Sequence, residues 1–491
     1  YDFTDKTVMG VLLNGYDSRW AMDALTTVNL TKNGQSESSA ELLLDEVNHW
    51  KHMGINLNLR HNYSKSKYTS FDADYLFYKD DNPINYTNSY FDENEVFIYD
   101  ELARSTKLTP IKTWVSKFDY NNQVNENMKI ETGAKGAFST FDNDASVANF
   151  INNVWEIDQT LTSKSDLAEN IYAAYFAMEY VINDHWSSKV GLRYEYTDSQ
   201  LDTETEGNIV DRQYGKIFPT IFLNRKFSDE LNMNLSYAKR ITRPTFSQMA
   251  PYVIMWDPDT FTLGNIEIQP AFSNSIKYDI NYKSSIFSLV YSYEDSSIAR
   301  FQITYDTIND RIILRSENLD FTKIFSATFG TPLRISDWWR TQNNITYTKS
   351  SIRAFNSPND TFDLSSGSLR ANSTSSFKFS NNLTFDIVGS YQGPRFSGTS
   401  KIEDTFRMDI GLHKDFGDRW GSLKFGIIDL FDSYDYNSVT DIPEEKLQII
   451  RNFRYSYRSF RLTYASNFGS SKVKSSRVRE TGSEEERKRI N

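Results

Sequence analysis

Hydrophobic and polar residues alternate along most of this chain, over stretches longer than ordinary strands. Ile55, Leu57, Leu59, His61 and Tyr63 share one face, and Asn56, Asn58, Arg60 and Asn62 the other. Val190, Leu192, Tyr194 and Tyr196 oppose Lys189, Gly191, Arg193 and Glu195; Ile276, Tyr278, Ile280 and Tyr282 oppose Lys277, Asp279, Asn281 and Lys283. The same phase holds for Leu383, Phe385, Ile387 and Tyr391, and for Met408, Ile410 and Leu412 against Arg407, Asp409 and His413. A period of two gives each strand one apolar and one strongly polar face. Soluble sandwiches alternate too, but their strands average about five or six residues. Here many stretches run past about ten, the length a tilted strand needs to cross a bilayer.

The connections sort by length. Tight joints are read at Ser64–Lys67, Asn121–Glu126, Asn183–Ser187, Phe227–Glu230, Lys283–Ser285, Ser336–Trp338, Ser380–Asn382 and Phe416–Arg419. Between them lie longer ones at 80–106, 142–167, 199–211, 243–272 and 432–446. Membrane barrels alternate short periplasmic turns with long extracellular loops, whereas a sandwich has no reason to do so. The pattern predicts an all-β, antiparallel transmembrane barrel with about eighteen strands present. The first rises from about Lys6, after Tyr1–Phe3 as the end of a preceding strand, and the last descends through Arg454–Phe468. Phe460, Leu462, Tyr464 and Phe468 line one face of that last strand. Residues 1–469 form the barrel and 470–491 a polar tail.

Composition narrows the classes. There are 30 Tyr and 34 Phe against 11 Pro among 491 residues, which favours long strands. The absence of cysteine removes disulfide scaffolds, thiolate zinc sites and cysteine nucleophiles. A net charge of −11 argues against a nucleic-acid surface. No apolar run approaches the ~18 residues of a spanning helix. The first residues lack a charged n-region with an apolar core, so the chain reads as mature or truncated.

Candidate chemistry is sparse. His49 and His52, with Asp45 and Glu46 beside them, would hold a metal only on a helix, and the segment reads as a loop entering a strand. No phosphate loop, G-x-S-x-G or H-E-x-x-H occurs. No catalytic residue, metal site or cofactor is predicted, and the chain does not read as an enzyme. The acidic stretch 80–106 carries Asp80, Asp81, Asp92, Glu93, Glu95, Asp100 and Glu101. It reads as a solvated acidic rim, with calcium binding as the alternative. Val147, Phe150, Ile151 and Val154, after Asp144 and Ser146 as caps, predict a short helix over the barrel mouth. In 243–272, Phe246, Tyr252, Trp256 and Phe261, with Met255, concentrate large side chains. These four aromatics are the candidate ligand-binding residues, because exposed aromatics are frequent in recognition surfaces. The other reading folds them onto the rim.

A family resemblance rests on particular residues. Arg243-Pro244-Thr245-Phe246 leads through Leu263-Gly264-Asn265 to Gln269-Pro270 and then into a strand. Glu169-Asn170-Ile171-Tyr172-Ala173-Ala174-Tyr175 opens another, and Asp429-Leu430-Phe431-Asp432 precedes the last long loop. Asn467-Phe468-Gly469, Lys472-Val473-Lys474 and Glu484–Ile490 close the chain. Their order resembles the outer membrane β-barrel family of the TonB-dependent receptor group, Bacteroidetes type, although Ile266 stands where that family has proline. The resemblance implies a 22-stranded barrel whose remaining strands and plug lie outside this sequence. It implies the outer membrane of a Gram-negative bacterium and uptake of an unidentified ligand, energised by a TonB-type system acting on the plug. Outer-membrane lipid and surface lipoprotein or other envelope subunits are the implied partners. The alternative is a non-transporting barrel subunit of an envelope complex. The tail has basic residues in excess over glutamates and almost no apolar content, so it is expected to be mobile in the periplasm. Docking on an acidic partner, or back against the barrel floor or plug, is its alternative.

Overall fold

The computed structural model describes residues 2–32, 35–203, 207, 209–250, 252–306, 311–357, 360–380, 382–417, 420–442, 447–454, 458–466 and 481–490. One antiparallel sheet of twenty strands forms the wall. It runs through Thr7–Lys32, Gln35–Asn62, Lys67–Phe91, Phe97–Asn125, Met128–Ile151, Ser163–Asn183, Trp186–Thr203, Val210–Lys226 and Leu231–Thr242. It continues with Ala271–Tyr282, Ser285–Asp295, Phe321–Arg334, Trp339–Ser357, Asp360–Ser380, Leu383–Gln392, Thr405–Asp415, Ser422–Ile428 and Ser459–Ala465. Two short strands complete the sheet: Asp2–Thr4, the end of a preceding strand that the sequence indicated, and Val154–Ile157, which it did not. The all-β antiparallel barrel wall is therefore as the alternation indicated. Among the described residues no pairing joins the first strands to Ser459–Ala465, so the sheet keeps two edges.

The predicted phase is kept. Val190, Leu192 and Tyr194 are exposed on the outer face, while Glu195 and Thr197 are buried on the inner one. Opposite them, Phe176 and Val190 alternate with Ala177 and Gly191 in a ladder without slips between Val181 and Ser165. Gly133 allows one close approach on the inner face. A side chain at Gly133 would lie 2.5 Å from the Tyr175 ring, whose hydroxyl donates to Asp119. Asp429-Leu430-Phe431-Asp432 turns the chain out of the wall, with Asp429 and Asp432 at φ 53° and 55°. The buried Asp429 carboxylate accepts from the Ser433 and Tyr434 amides at 3.1 Å, which fixes that turn.

Several expected loops are strand. Most of 80–106 continues Lys67–Phe91 and Phe97–Asn125, leaving only 92–96 as the connection. Asp80 is accordingly a buried partner of Lys107 at 2.5 Å, and not part of a solvated rim. The helix expected around Val147–Val154 is absent: Met128–Ile151 is strand and folds back as Val154–Ile157. Asn152 and Asn153 have φ of 51° and 65°, the left-handed pair that a two-residue hairpin requires and that asparagine tolerates. The segment holding His49 and His52 is strand throughout, where their odd spacing puts them on opposite faces. His52 points inward and stacks on Tyr78 at 4.0 Å, which separates it from His49. No cluster of metal-type ligands occurs among the described residues.

The long connections build two further sheets. Val253–Asp257, Thr260–Leu263, Arg311–Asn318 and Ile298–Asp306 form one, in which Thr260–Leu263 runs parallel to Arg311–Asn318. Arg395–Ser397, Ser400–Ile402, Tyr436–Ile442 and Leu447–Phe453 form the other. Gln302 ties the two together, accepting from the Thr399 amide at 2.9 Å. Alternation cannot distinguish such strands from the wall that they cover.

Candidate functional site

The inner space is filled from both ends, and the first filler is the 243–270 connection. Leu231–Thr242 ends where Arg243 donates to Glu195 at 2.7 Å and to Thr197 at 3.0 Å on the facing wall. Pro244 then stops the strand, and a short helix begins at Phe246–Met249. Thr245 and Gln248 cap each other: the Thr245 hydroxyl accepts from the Gln248 amide, and the Gln248 side chain from the Thr245 amide at 2.8 Å. This is the T-x-x-Q pattern of a capping box, a local signal within the stretch 243–272 that a plain loop reading does not use. Thr245→Ala is expected to loosen this turn by ~1 kcal/mol, seen as faster amide exchange at Gln248 and Met249 with the wall unchanged.

The loop is held down by packing. Phe246 is 1% exposed and contacts Phe141 of the wall at 5.7 Å between ring centres. Leu76, Leu167, Met249 and Ile268 belong to the same apolar cluster. Asn265 donates to the Ser316 carbonyl at 2.9 Å, and its amide donates to the Gln248 carbonyl at 2.8 Å. The Gly-Asn element thus locks the loop onto the neighbouring sheet even with Ile266 following it. Phe261 is buried with Leu42, Tyr86 and Met255 in a second cluster nearer the mouth. Trp256 donates to Thr262 at 2.7 Å and meets Phe453 edge-on at 6.4 Å. Tyr252 lies beneath the Lys107 ammonium at 5.1 Å. The four aromatics therefore do not make one exposed platform. Phe246 and Phe261 anchor the loop, while Tyr252 and Trp256 are half-buried.

The second filler is the end of the chain, which the sequence reading expected to be mobile. Residues 467–480, with Phe468, Lys472, Lys474, Arg477 and Arg479, lie outside the described residues. Glu484–Ile490 is helical and sits inside the wall, which corrects that expectation for 481–490. The reason is charge complementarity. Buried Lys135 binds Glu485 at 2.8 Å and Glu486 at 2.9 Å, and Arg193 reaches Glu485 at 3.4 Å. Ser483 donates to Asp74 at 3.1 Å. Arg489 pairs with Glu169, donates to the Pro244 carbonyl at 3.1 Å and lies 4.7 Å over the Phe246 ring. Ile490 joins the Phe246 cluster. Acidic residues in the first turn and basic ones in the last also suit the helix dipole. An apolar count overlooked all this because the grip is ionic.

Enclosure in the lumen acts to raise the Glu485 carboxyl, but Lys135 and Arg193 overcome it and hold it down at about 2. A carboxyl lowered on docking stabilises the docked state above its free value near 4.5 and loses that contribution as pH falls toward 2. Acid titration through that window is expected to release the tail helix, read as rising amide exchange over residues 484–490.

Between the two fillers lies a cavity of about 740 Å³. Glu195, Arg243, Glu294, Arg300, Glu485 and Lys488 bring both signs of charge to its lining.

No curated protein matches the sequence. Among solved structures, the copper transporter OprC aligns at 11% identity with a TM-score of 0.56, over 93% of this chain and 79% of that one. The ferric-catecholate import receptor Fiu from K12 E. coli, in its closed form, aligns at 10% identity with a TM-score of 0.50, over 93% and 81%. Identities this low establish a common fold. The match at the level of sequence families is to the outer membrane protein beta-barrel family, over residues 61–466. It agrees with the resemblance read from the motifs and places the wall in the outer membrane of a Gram-negative bacterium. With that match across most of its length and a barrel wall of the expected phase, the chain belongs to the outer membrane protein beta-barrel family.

Proposed function

We propose that this chain is the barrel of a TonB-dependent receptor, of the Bacteroidetes type, that takes up a ligand through its lumen. The carrying observation is the interior: a wall with an apolar outer face surrounds a chamber whose lining carries charges of both signs, beside the 243–270 connection and residues 481–490 that pack against the wall's inner face. Import named for proteins of the same fold, the copper transporter and the ferric-catecholate receptor, supports this reading. A barrel of this kind supplies a closed path and draws its energy from a partner in the inner membrane, so its own residues need only bind and yield. Tyr252 and Trp256, half-buried near the mouth, are the aromatic positions left to meet a ligand, while Phe246 and Phe261 act beneath them.

The test is uptake in cells. Deleting the gene should abolish growth on, or accumulation of, a nutrient that the parent strain imports, and removing the inner-membrane energy system or adding a protonophore should reproduce the loss. Uptake that persists without energy coupling refutes the reading. The rival is a non-transporting subunit of an envelope complex, with lipoprotein or other outer-membrane partners, and the filled lumen favours it over a simple open pore. It predicts no uptake phenotype, together with co-purification of stoichiometric partners.

A further inference from the structure

On the outer face, the apolar band of three adjacent strands ends in a lysine. Going up from the short turns, Gln35–Asn62 shows Leu59 to Met53 and then Lys51, and Lys67–Phe91 shows Phe71 to Phe77 and then Lys79. Phe97–Asn125 shows Phe118 and Trp114 and then Lys112. Each lysine keeps the outward phase of the apolar residues below it. The span from Thr69 to Lys79 rises ~25 Å in a strand tilted ~40°, at ~3.3 Å per residue, which is the height of the apolar band in such barrels. Trp114, 59% exposed, packs on Tyr75 at 4.4 Å just beneath, in the place of an interfacial aromatic girdle. The lysines therefore stand at the headgroup level of the outer leaflet.

Register draws the three together. Lys51 lies directly across from Lys79, and Lys112 lies across from Phe77, one diagonal step from Lys79. Like charges directly opposite on one face repel. Asp17 at 3.3 Å from Lys51 and Asp81 at 3.6 Å from Lys79 offset part of this, but exposed pairs contribute little in water. Lys112 has no acidic partner among the described residues, and Arg19, outward and across from His49, adds a further cation. The patch is also local. On the next strands the first outward charges are Asp142 and Asp166, paired across from each other, and Asp198. A belt that only marked the membrane surface would continue around the wall, whereas this one changes sign after Phe97–Asn125.

We propose that Lys51, Lys79 and Lys112 bind the phosphate of a phosphorylated glycolipid of the outer leaflet, whose acyl chains lie along the apolar band below. Lysine meets phosphate as a flexible point charge, and three such side chains around one diagonal step can reach a single phosphoryl group. The bound anion also relieves the repulsion between Lys51 and Lys79. The three strands are paired on both sides, and the site is on their outer face. It depends neither on what fills the wall nor on uptake.

The ligand to use is diphosphoryl lipid A, added to the full chain after purification in nonionic detergent and removal of endogenous lipid. Native mass spectrometry reads its binding beside that of fully dephosphorylated lipid A. The parent should bind the phosphorylated form at least tenfold more tightly. Lys51→Gln with Lys79→Gln and Lys112→Gln should remove that preference while heat-modifiable migration stays unchanged, and arginine at the three positions should keep it. Lys112→Gln alone, which breaks no ion pair, should weaken binding several-fold and serves if the triple variant does not fold. Asp142→Asn with Asp166→Asn, on the neighbouring strands, should leave the preference as it is. Equal binding of the two lipids by the parent, or parent-like preference in the lysine variants, overturns the site. Displacement of the lipid by low-millimolar inorganic phosphate would assign the lysines to a free anion and overturn the lipid reading.

Discussion

Arginine in place of Leu192 is expected to reduce the folded, membrane-inserted barrel severely, whereas leucine in place of the adjacent Arg193 should assemble. Leu192 lies on the outer face, 52% exposed, between Phe176 and Pro219 on neighbouring strands. An arginine on the lipid face costs ~2–4 kcal/mol near the bilayer midplane. That is a factor of roughly thirty to several hundred in the folding equilibrium. Arg193 lies one residue further on, against Glu195 at 2.5 Å and Glu485 at 3.4 Å. Its removal leaves Glu485 with Lys135, so the wall should insert while the tail loosens. Heat-modifiable migration of the two variants, refolded into the same vesicles, measures the contrast. Equal yields would overturn the placing of Leu192 on the lipid face.

The contrast between these neighbours is also where the sequence was most legible. A period-two pattern needs no knowledge of partners, because the two solvents on either side of the wall impose it directly on each strand. Hence the alternation puts Leu192, Ile276 and Leu412 on the outer face, and all are exposed there. Loop boundaries were harder. Strands such as Gln35–Asn62 and Phe97–Asn125 extend well beyond what a bilayer requires, and outside it the outer face has no need to be apolar. Asp80, Asp81 and Asp100 then look like loop residues although they sit on paired strands. The site was the least legible part. Lys135, Glu169 and Arg193 appear as ordinary inward polar residues until the tail is placed among them. What joins Lys135 to Glu486 is a return of the chain across most of its length, and no local spacing encodes that. Only the T-x-x-Q cap at Thr245 and the charge order within Glu484–Ile490 carried local signals.

Arg489 is the residue on which the filled lumen turns, and Arg489→Met should undock the tail in most molecules without disturbing the wall. The guanidinium is buried, and three groups depend on it: the Glu169 carboxylate, the Pro244 carbonyl and the face of Phe246. Methionine keeps much of the volume but leaves Glu169 as a buried charge without its partner. Removing one member of a buried pair costs ~3–5 kcal/mol, far more than the pair contributes relative to apolar replacement. The tail has little else to offset this, since Ile490 is its one large buried apolar side chain. Lysine should rescue poorly, because an ammonium cannot reach carboxylate and carbonyl in a fixed fork while stacking on a ring. Glu169→Gln combined with Arg489→Met should recover part of the docking, as the stranded charge is then gone. The measurement is amide exchange over residues 484–490 beside exchange in Met128–Ile151. The expected result is loss of protection in the helix for Arg489→Met and Arg489→Lys, partial return in the double variant, and constant protection in the strand. Protection in the helix that survives Arg489→Met would show that apolar contact with the loop, and not the charge network, holds the end of the chain inside the barrel.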